Sequence, residues 1–239
     1  MRYLSADVGG TFTDLVLIDG ATGTVRLDKV PSTPGSAEAV GRGIARLTAA
    51  AGLGAADIGL FVHGFTIATN ALLTRTGARI ALIVTEGFRD VLEIGPQMRP
   101  KLYALTQTKP PPVVPRSRVV EVAERIDAFG AVVVPLAIDE AVRAAEAVAA
   151  MNPEAVAVCL AFAHLATDHE RMIEAALHRR LPGVPVYLSC RVNPQIEEYP
   201  RANTTAIAAY VGPVVDRYVG ALEATLGRIG VAAPLRLMR

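Results

Sequence analysis

An excess of charge of either sign is missing from this sequence: 24 Lys and Arg stand against 23 Asp and Glu, a formal net charge of +1, with the two signs interleaved along the chain. A domain that tracks a phosphate backbone clusters positive charge, so nucleic acid is excluded as the natural partner. Long apolar runs are also missing. The longest, residues 155–163, is about half of the roughly 20 residues that span a bilayer. No basic stretch leads into an apolar run and a cleavage site at the start, so neither membrane nor secretion is expected, and a cytoplasmic location is. Only two cysteines occur, Cys159 and Cys190, each in an apolar, strand-like stretch. They read as buried reduced thiols and not as a disulfide framework or a metal site. The Gly-x-x-x-x-Gly-Lys-Ser/Thr loop, the Gly-x-Gly-x-x-Gly turn, the Gly-x-Ser-x-Gly elbow and zinc-type histidine spacing are absent as well.

What is present is ample core material, 51% hydrophobic against 20% charged residues. Residues 3–8, 13–19 and 25–30 alternate as short strands, the last two joined by a turn at Asp19-Gly20-Ala21-Thr22-Gly23, which predicts an antiparallel meander. A helix follows over 35–52, with Val40, Ile44, Leu47 and Ala51 at helical spacing. A strand at 60–63, a helix at 66–76 stopped by Gly77 and a strand at 79–85 come next. This order, strands first paired and then joined by helices, threads a ribonuclease-H-like or actin-like lobe, an α/β fold with a mixed sheet flanked by helices.

Residues 96–115, rich in proline, read as an extended surface excursion. Residues 118–127 form a strand that residues 131–135 pair back onto. Further elements are a helix at 139–151, a strand at 155–161 and a helix to Leu181 opened by Thr167-Asp168-His169-Glu170, which has the Thr-x-x-Glu form of a capping box. A strand at 184–189 and a long helix at 202–228, which Pro213 should kink or interrupt, precede residues 234–239, the first half of a strand.

The densest chemical signal is Asp7-Val8-Gly9-Gly10-Thr11-Phe12-Thr13-Asp14, where the first strand gives way to the second. Adjacent glycines let successive N–H groups approach an anion, and the Thr11 and Thr13 hydroxyls add donors for phosphate oxygens. A carboxylate beside a polyphosphate needs an intervening cation, so Asp7 would hold Mg²⁺, mostly through water. The alternative is a hairpin whose glycines only serve the turn; Asp7 and Asp14 on both flanks favour phosphate. The second signal is His63-Gly64-Phe65-Thr66-Ile67-Ala68-Thr69-Asn70, a strand end running into a helix, where N–H groups converge. His63 could donate to a carbonyl or shuttle a proton, and Thr66, Thr69 and Asn70 could fix a polar ring. Equally, Thr66 could cap the helix and His63 be a satisfied histidine at the sheet edge. Arg89, in Thr85-Glu86-Gly87-Phe88-Arg89-Asp90, could grip an anion, although an ion pair with Asp90 or Glu86 is the plainer reading.

These two blocks, with residues 85–95 and 189–211, resemble the amino-terminal portion of the hydantoinase A/5-oxoprolinase family, in order and over essentially the whole chain. The resemblance implies membership of the actin, Hsp70 and sugar-kinase group and an ATP- and Mg²⁺-dependent opening of a cyclic amide or imide, whose carbonyl oxygen is phosphorylated before water attacks. Asp7, Asp14 and His63 would be catalytic, Asp7 positioning Mg²⁺. Gly9, Gly10, Thr11 and Thr13 would cradle phosphate, and Thr66, Thr69 and Asn70 would face substrate. A hydantoinase B-like partner subunit is implied. The alternatives are a subunit of an ATP-dependent ketone carboxylase and a non-catalytic assembly module. The family's His-Gly-Thr-Thr reads His63-Gly64-Phe65-Thr66 here and its Gly-Arg-Gln reads Gly95-Pro96-Gln97, which removes one hydroxyl and one cation expected near substrate. Residues 1–190 correspond to the family's N-terminal domain and 191–239 to the start of the next, cut short. The second phosphate loop and adenosine site would follow Arg239, so the isolated chain is expected to turn over poorly and, with an unpaired face, to self-associate as a homo-oligomer.

Overall fold

Alternation of apolar and polar residues along the first two strands makes a two-faced ribbon, and that ribbon organises one half of the fold. The computed structural model describes residues 1–33, 36–98, 103, 106 and 109–238. In chain order the elements are β1 (Arg2–Val8), β2 (Phe12–Asp19), β3 (Val25–Pro31), α1 (Glu38–Ala51), β4 (Leu60–Phe65), α2 (Ile67–Leu73), β5 (Ile80–Thr85), α3 (Val91–Ile94), β6 (Val119–Val122), β7 (Arg125–Ile126), β8 (Val132–Val134), α4 (Ile138–Ala150), β9 (Ala155–Cys159), α5 (Asp168–Arg180), β10 (Val186–Leu188), α6 (Ser189–Val192), α7 (Glu198–Ile229) and β11 (Leu235–Leu237). They form two units, Met1–Thr74 with Val214–Arg239, and Arg75–Pro213. Both are α/β, with sheets flanked by helices.

The first unit is built on a five-stranded sheet of order β11-β4-β1-β2-β3. The β1, β2 and β3 strands run antiparallel to one another, and β4 and β11 lie parallel to β1 and β4. Leu4, Ala6, Leu15, Leu17 and Phe61 share one face with Val40, Ile44 and Leu47 of α1 and Leu222 and Leu226 of α7. Each fully buried Leu, Ile, Val or Phe among them contributes about 1.5–3 kcal/mol. By alternation, Ser5, Asp7, Asp14 and Val16 stand on the opposite face.

The second unit holds a four-stranded parallel sheet of order β10-β9-β5-β6 and a separate β7-β8 hairpin. Ala81, Ile83, Val156 and Val158 pack with Ala144, Val148, Ile173 and Leu177 from α4 and α5. Here the structure corrects the expected single sheet. The 79–85 strand is not the neighbour of β4. All six residues of β5 are buried, which suits a parallel sheet covered on both faces, and the place beside β4 belongs to β11, the segment that read as half a strand.

Several boundaries also move. The helix after β4 ends at Leu73, and Arg75, not Gly77, takes the left-handed conformation beyond it. The strand expected at 118–127 is split into β6 and β7, and β8 pairs back on β7 as expected. The α7 helix runs from Glu198 through Pro213 to Ile229 without interruption. The capping box does not form: Thr167 makes no side-chain cap bond, and Glu170 turns inward instead. The proline-rich excursion lies partly outside the described residues, as do Gly35 and Arg239. Among the described residues no helix is long and apolar enough to cross a membrane.

Both cysteines are free thiols, Cys159 buried and Cys190 half-buried. Burial pushes the Cys159 pKa up to about 11, and burial with the neighbouring Glu170 carboxylate pushes Cys190 up to about 12. At pH 8 their thiolate fraction is lower than that of an ordinary cysteine by roughly two orders of magnitude or more. Reaction with a disulfide reagent at that pH is expected to be slow in the native protein and fast after denaturation; rapid native labelling would contradict the burial. Because the folded values lie above the unfolded one, the native state loses stability as pH rises from about 9 toward 11–12.

Candidate functional site

Strand register assembles one row of side chains across four strands of the first unit. Asp7 pairs with Gly64 on β4 and with Asp14 on β2, and Asp14 pairs with Lys29 on β3. Two carboxylates therefore stand directly opposite each other on an exposed face, an arrangement that destabilises a sheet. Lys29 Nζ lies 2.9 Å from Asp14 Oδ1 and 5.3 Å from the centre of the Phe12 ring, which holds Asp14. Asp7 has no hydrogen bond or ion pair among the described residues. Space for it is made by Gly64: a Cβ there would come within 2.9 Å of Asp7 Oδ1. Gly64→Ala is thus expected to leave the fold intact, because a flexible carboxylate can move, yet to misplace Asp7 and lower activity on the order of 10- to 100-fold. Wild-type turnover in that variant would show that the position of Asp7 is immaterial.

The loop at the end of β1 is closed by Gly9 N–H donating to Phe12 O at 3.0 Å. Neither Gly9 nor Gly10 lies in the left-handed region. Backbone conformation therefore does not require glycine at 10, and the nearest neighbour of a Cβ built there is Asn70 Nδ2 at 3.9 Å. What glycine leaves at that point is open space beside main-chain N–H groups, as an anion-binding turn needs. Thr11 is exposed at the same turn. Thr13 is not: it is fully buried, with its hydroxyl 3.0 Å from Ser32 Oγ. Ser32 Oγ in turn donates to Gly9 O at 3.0 Å, and Ser32 N–H donates to Thr11 O at 2.9 Å. Thr13 and Ser32 brace the loop from beneath, so Thr13 is withdrawn from the expected set of phosphate donors. Ser32 carries no motif of its own.

Thr66, Thr69 and Asn70 are exposed on or beside the first turn of α2, spaced so as to share a face. Asn70 Nδ2 donates to Thr66 Oγ1 at 3.3 Å and borders Gly10, which brings this block against the loop. Thr66 makes no side-chain cap bond. Of its two readings, His63 follows the satisfied histidine and not the group that faces a substrate. It is fully buried, with Nδ1 3.0 Å from Ala6 O and Nε2 2.8 Å from Tyr218 Oη, and it offers no free nitrogen to a substrate.

The second unit has its own buried polar cluster, at the carboxyl ends of its parallel strands. Thr85 Oγ1 donates to Glu124 Oε1, His169 Nδ1 to Glu124 Oε2 at 2.7 Å, and Leu136 N–H to His169 Nε2 at 3.3 Å. The Glu170 carboxylate accepts from Leu160 N–H, Cys190 N–H and Ser189 Oγ at 3.0, 3.0 and 2.6 Å. Every group in this set is used internally, so it reads as scaffold. Asp90 pairs with Arg116 and not with Arg89, whose Nε is buried without a partner among the described residues.

Mg²⁺ takes one or two carboxylates and otherwise water and phosphate oxygens. An unpaired carboxylate facing a second one, beside an open glycine turn, fits that demand. Among the described residues no three His, Cys, Asp or Glu side chains converge into a closed cage.

A family model for the hydantoinase/oxoprolinase N-terminal region matches residues 3–181. The α subunit of caprolactamase from Pseudomonas jessenii is 35% identical over 242 residues, covering 98% of this chain and 34% of that protein. The γ subunit of acetophenone carboxylase from Aromatoleum aromaticum is 30% identical over 240 residues, covering 92% and 32%. The crystal structure of ATP-dependent caprolactamase from Pseudomonas jessenii superposes with a TM-score of 0.89 at 34% identity, over 98% of this chain and 35% of that one. The chain spans about a third of the length of these relatives.

Proposed function

The chain belongs to the hydantoinase/oxoprolinase family, and we propose that it forms the amino-terminal lobe of a longer ATP- and Mg²⁺-dependent enzyme that opens a cyclic amide or imide. The observation that carries this reading is the unpaired Asp7 carboxylate, directly opposite Asp14 at the mouth of the Gly9-Gly10 turn. Lys29 compensates Asp14 in this row and leaves Asp7 without a cation among the described residues, at a cost in stability that a bound cation would remove. The sheet, three antiparallel strands followed by two parallel ones, supports the ribonuclease-H-like lobe of the actin, Hsp70 and sugar-kinase group. Residues 1–190 then make up the N-terminal domain and 191–239 begin the next.

In this reading the main-chain N–H groups of Gly10 and Thr11, with the Thr11 hydroxyl, bind phosphate, while the Gly9 N–H is spent on Phe12 O and closes the turn. Thr13 and Ser32 hold the loop, and Lys29 keeps Asp14 in place to orient the loop or a water. Bound Mg²⁺, held by Asp7, supplies charge neutralisation between carboxylates and phosphates. Transfer of the γ-phosphoryl group to the ring carbonyl oxygen makes the amide open to water; the ring C–N bond then breaks, and ADP and phosphate leave. Thr66, Thr69 and Asn70 line the polar edge next to the loop, where substrate groups would be met. His63 has no place among the contacts.

A subunit of a carboxylase is the second reading, favoured by the similarity to acetophenone carboxylase. Both relatives are named as subunits, which supports a partner chain here; we propose that this partner is of the hydantoinase B type. Phosphate release by the complete, partnered enzyme separates the possibilities. Caprolactam, hydantoin or 5-oxoproline is expected to stimulate it in the presence of MgATP. Stimulation only by a ketone with bicarbonate would move the assignment to the carboxylase.

A further inference from the structure

His63 and Tyr218 are buried polar side chains of the first unit that the reading above leaves without a task, and their geometry is specific. A carbonyl oxygen can only accept, so His63 Nδ1 carries the hydrogen and donates to Ala6 O at 3.0 Å. Nε2 is then the acceptor, and the Tyr218 hydroxyl donates to it at 2.8 Å. The imidazole is enclosed by rings, with centroids of Phe61, Phe65 and Tyr218 at 5.9, 5.6 and 5.7 Å. Burial pushes the His63 pKa below its ordinary value and that of Tyr218 up to about 12, so both are neutral at pH 7. Apolar side chains of the same volume would fill this space at a lower desolvation cost. What the polar pair adds is direction.

The direction is toward Asp7. Ala6 is the residue before it, and the β1–β4 register sets Ala6 opposite His63 and Asp7 opposite Gly64. The imidazole therefore ties β1 to β4 through a side chain, one residue from the carboxylate and on the opposite face of the sheet. From the other side of β4, Met238 N–H donates to His63 O at 2.9 Å. We propose that Tyr218 and His63 form a positioning brace for Asp7, in which Tyr218 on α7 fixes the tautomer and rotamer of His63, and His63 fixes the backbone on which Asp7 stands. This rests on the reading that Asp7 serves the divalent cation.

Tyr218→Phe keeps the ring and removes the hydrogen bond. In the complete enzyme it is expected to raise about tenfold both the Kd for Mg²⁺ measured by calorimetry with a non-hydrolysable ATP analogue and the Mg²⁺ concentration for half-maximal activity, with KM for the cyclic amide unchanged. His63→Asn shifts the Mg²⁺ requirement in the same direction, so the outcome does not depend on one variant. Ile44→Val, a substitution in the same core at modest cost in stability, leaves it where it was. An unmoved Mg²⁺ requirement in Tyr218→Phe, or an equal shift in Ile44→Val, overturns the brace. The two levels are separable. If Asp7→Asn also leaves the Mg²⁺ dependence untouched, the cation reading itself fails; if Asp7→Asn changes it and Tyr218→Phe does not, only the brace is lost.

Discussion

Asp7→Asn in the complete enzyme is expected to lower amide-dependent ATP hydrolysis on the order of 10²–10³-fold, the loss seen when one preorganised electrostatic group is removed from a reacting centre. The same change is expected to leave the melting temperature unchanged or slightly raised. Among the described residues Asp7 makes no hydrogen bond or ion pair that its removal would break, and asparagine relieves the repulsion from Asp14 across the strand pair. Activity and stability moving in opposite directions is the signature of a group kept for function at the cost of the fold. Steady-state phosphate release and a thermal melt on the same preparation test both halves. Retained activity would mean that the cation is held elsewhere, and a large loss of stability would mean that Asp7 is a structural residue.

The largest effect on stability is expected in the second unit. Glu170 is fully buried and accepts from two backbone N–H groups and the Ser189 hydroxyl. Glu170→Ala strands three buried donors and opens a hole, at a cost of about 3–5 kcal/mol, or roughly 8–16 °C in melting temperature for a domain of this size. Glu174, one turn further along α5, pairs with Arg191 at the surface. Its replacement by alanine is expected to cost less than about 1 kcal/mol. Thermal melts of the two variants side by side decide the point. A Glu170→Ala protein that melts within a degree or two of wild type would show that this carboxylate does not hold the ends of β9 and β10 together.

Local pattern carried much of this fold and failed where a distant partner decided the outcome. The β1-β2-β3 meander was legible because alternation and the Asp19-to-Gly23 turn act over a few residues, and the loop motif was legible because it lies in one stretch of chain. Lys29 was in principle readable too, since the meander's register sets it opposite Asp14. The exchange of β5 for β11 beside β4 was not: pairing between strands so far apart in sequence is set by which faces each must bury. Thr167-x-x-Glu170 has the local form of a capping box, but three donors, one just past β9 and two from α6, claim the glutamate. For the same reason the sequence left His63 open between a group facing a ligand and a satisfied histidine. Its second partner, Tyr218, lies 155 residues away, and only the folded chain brings the two together. Ser32, beneath the loop, carries a sequence signal no different from that of any other serine after a strand.

The most direct test of the central claim is the structure of the complete enzyme with Mg²⁺ and a non-hydrolysable ATP analogue. The account predicts phosphate oxygens against the main-chain N–H groups of Gly10 and Thr11 and the metal on the Asp7 side of the Asp7–Asp14 row. Nucleotide bound elsewhere, with that turn and both carboxylates left to solvent, would contradict it.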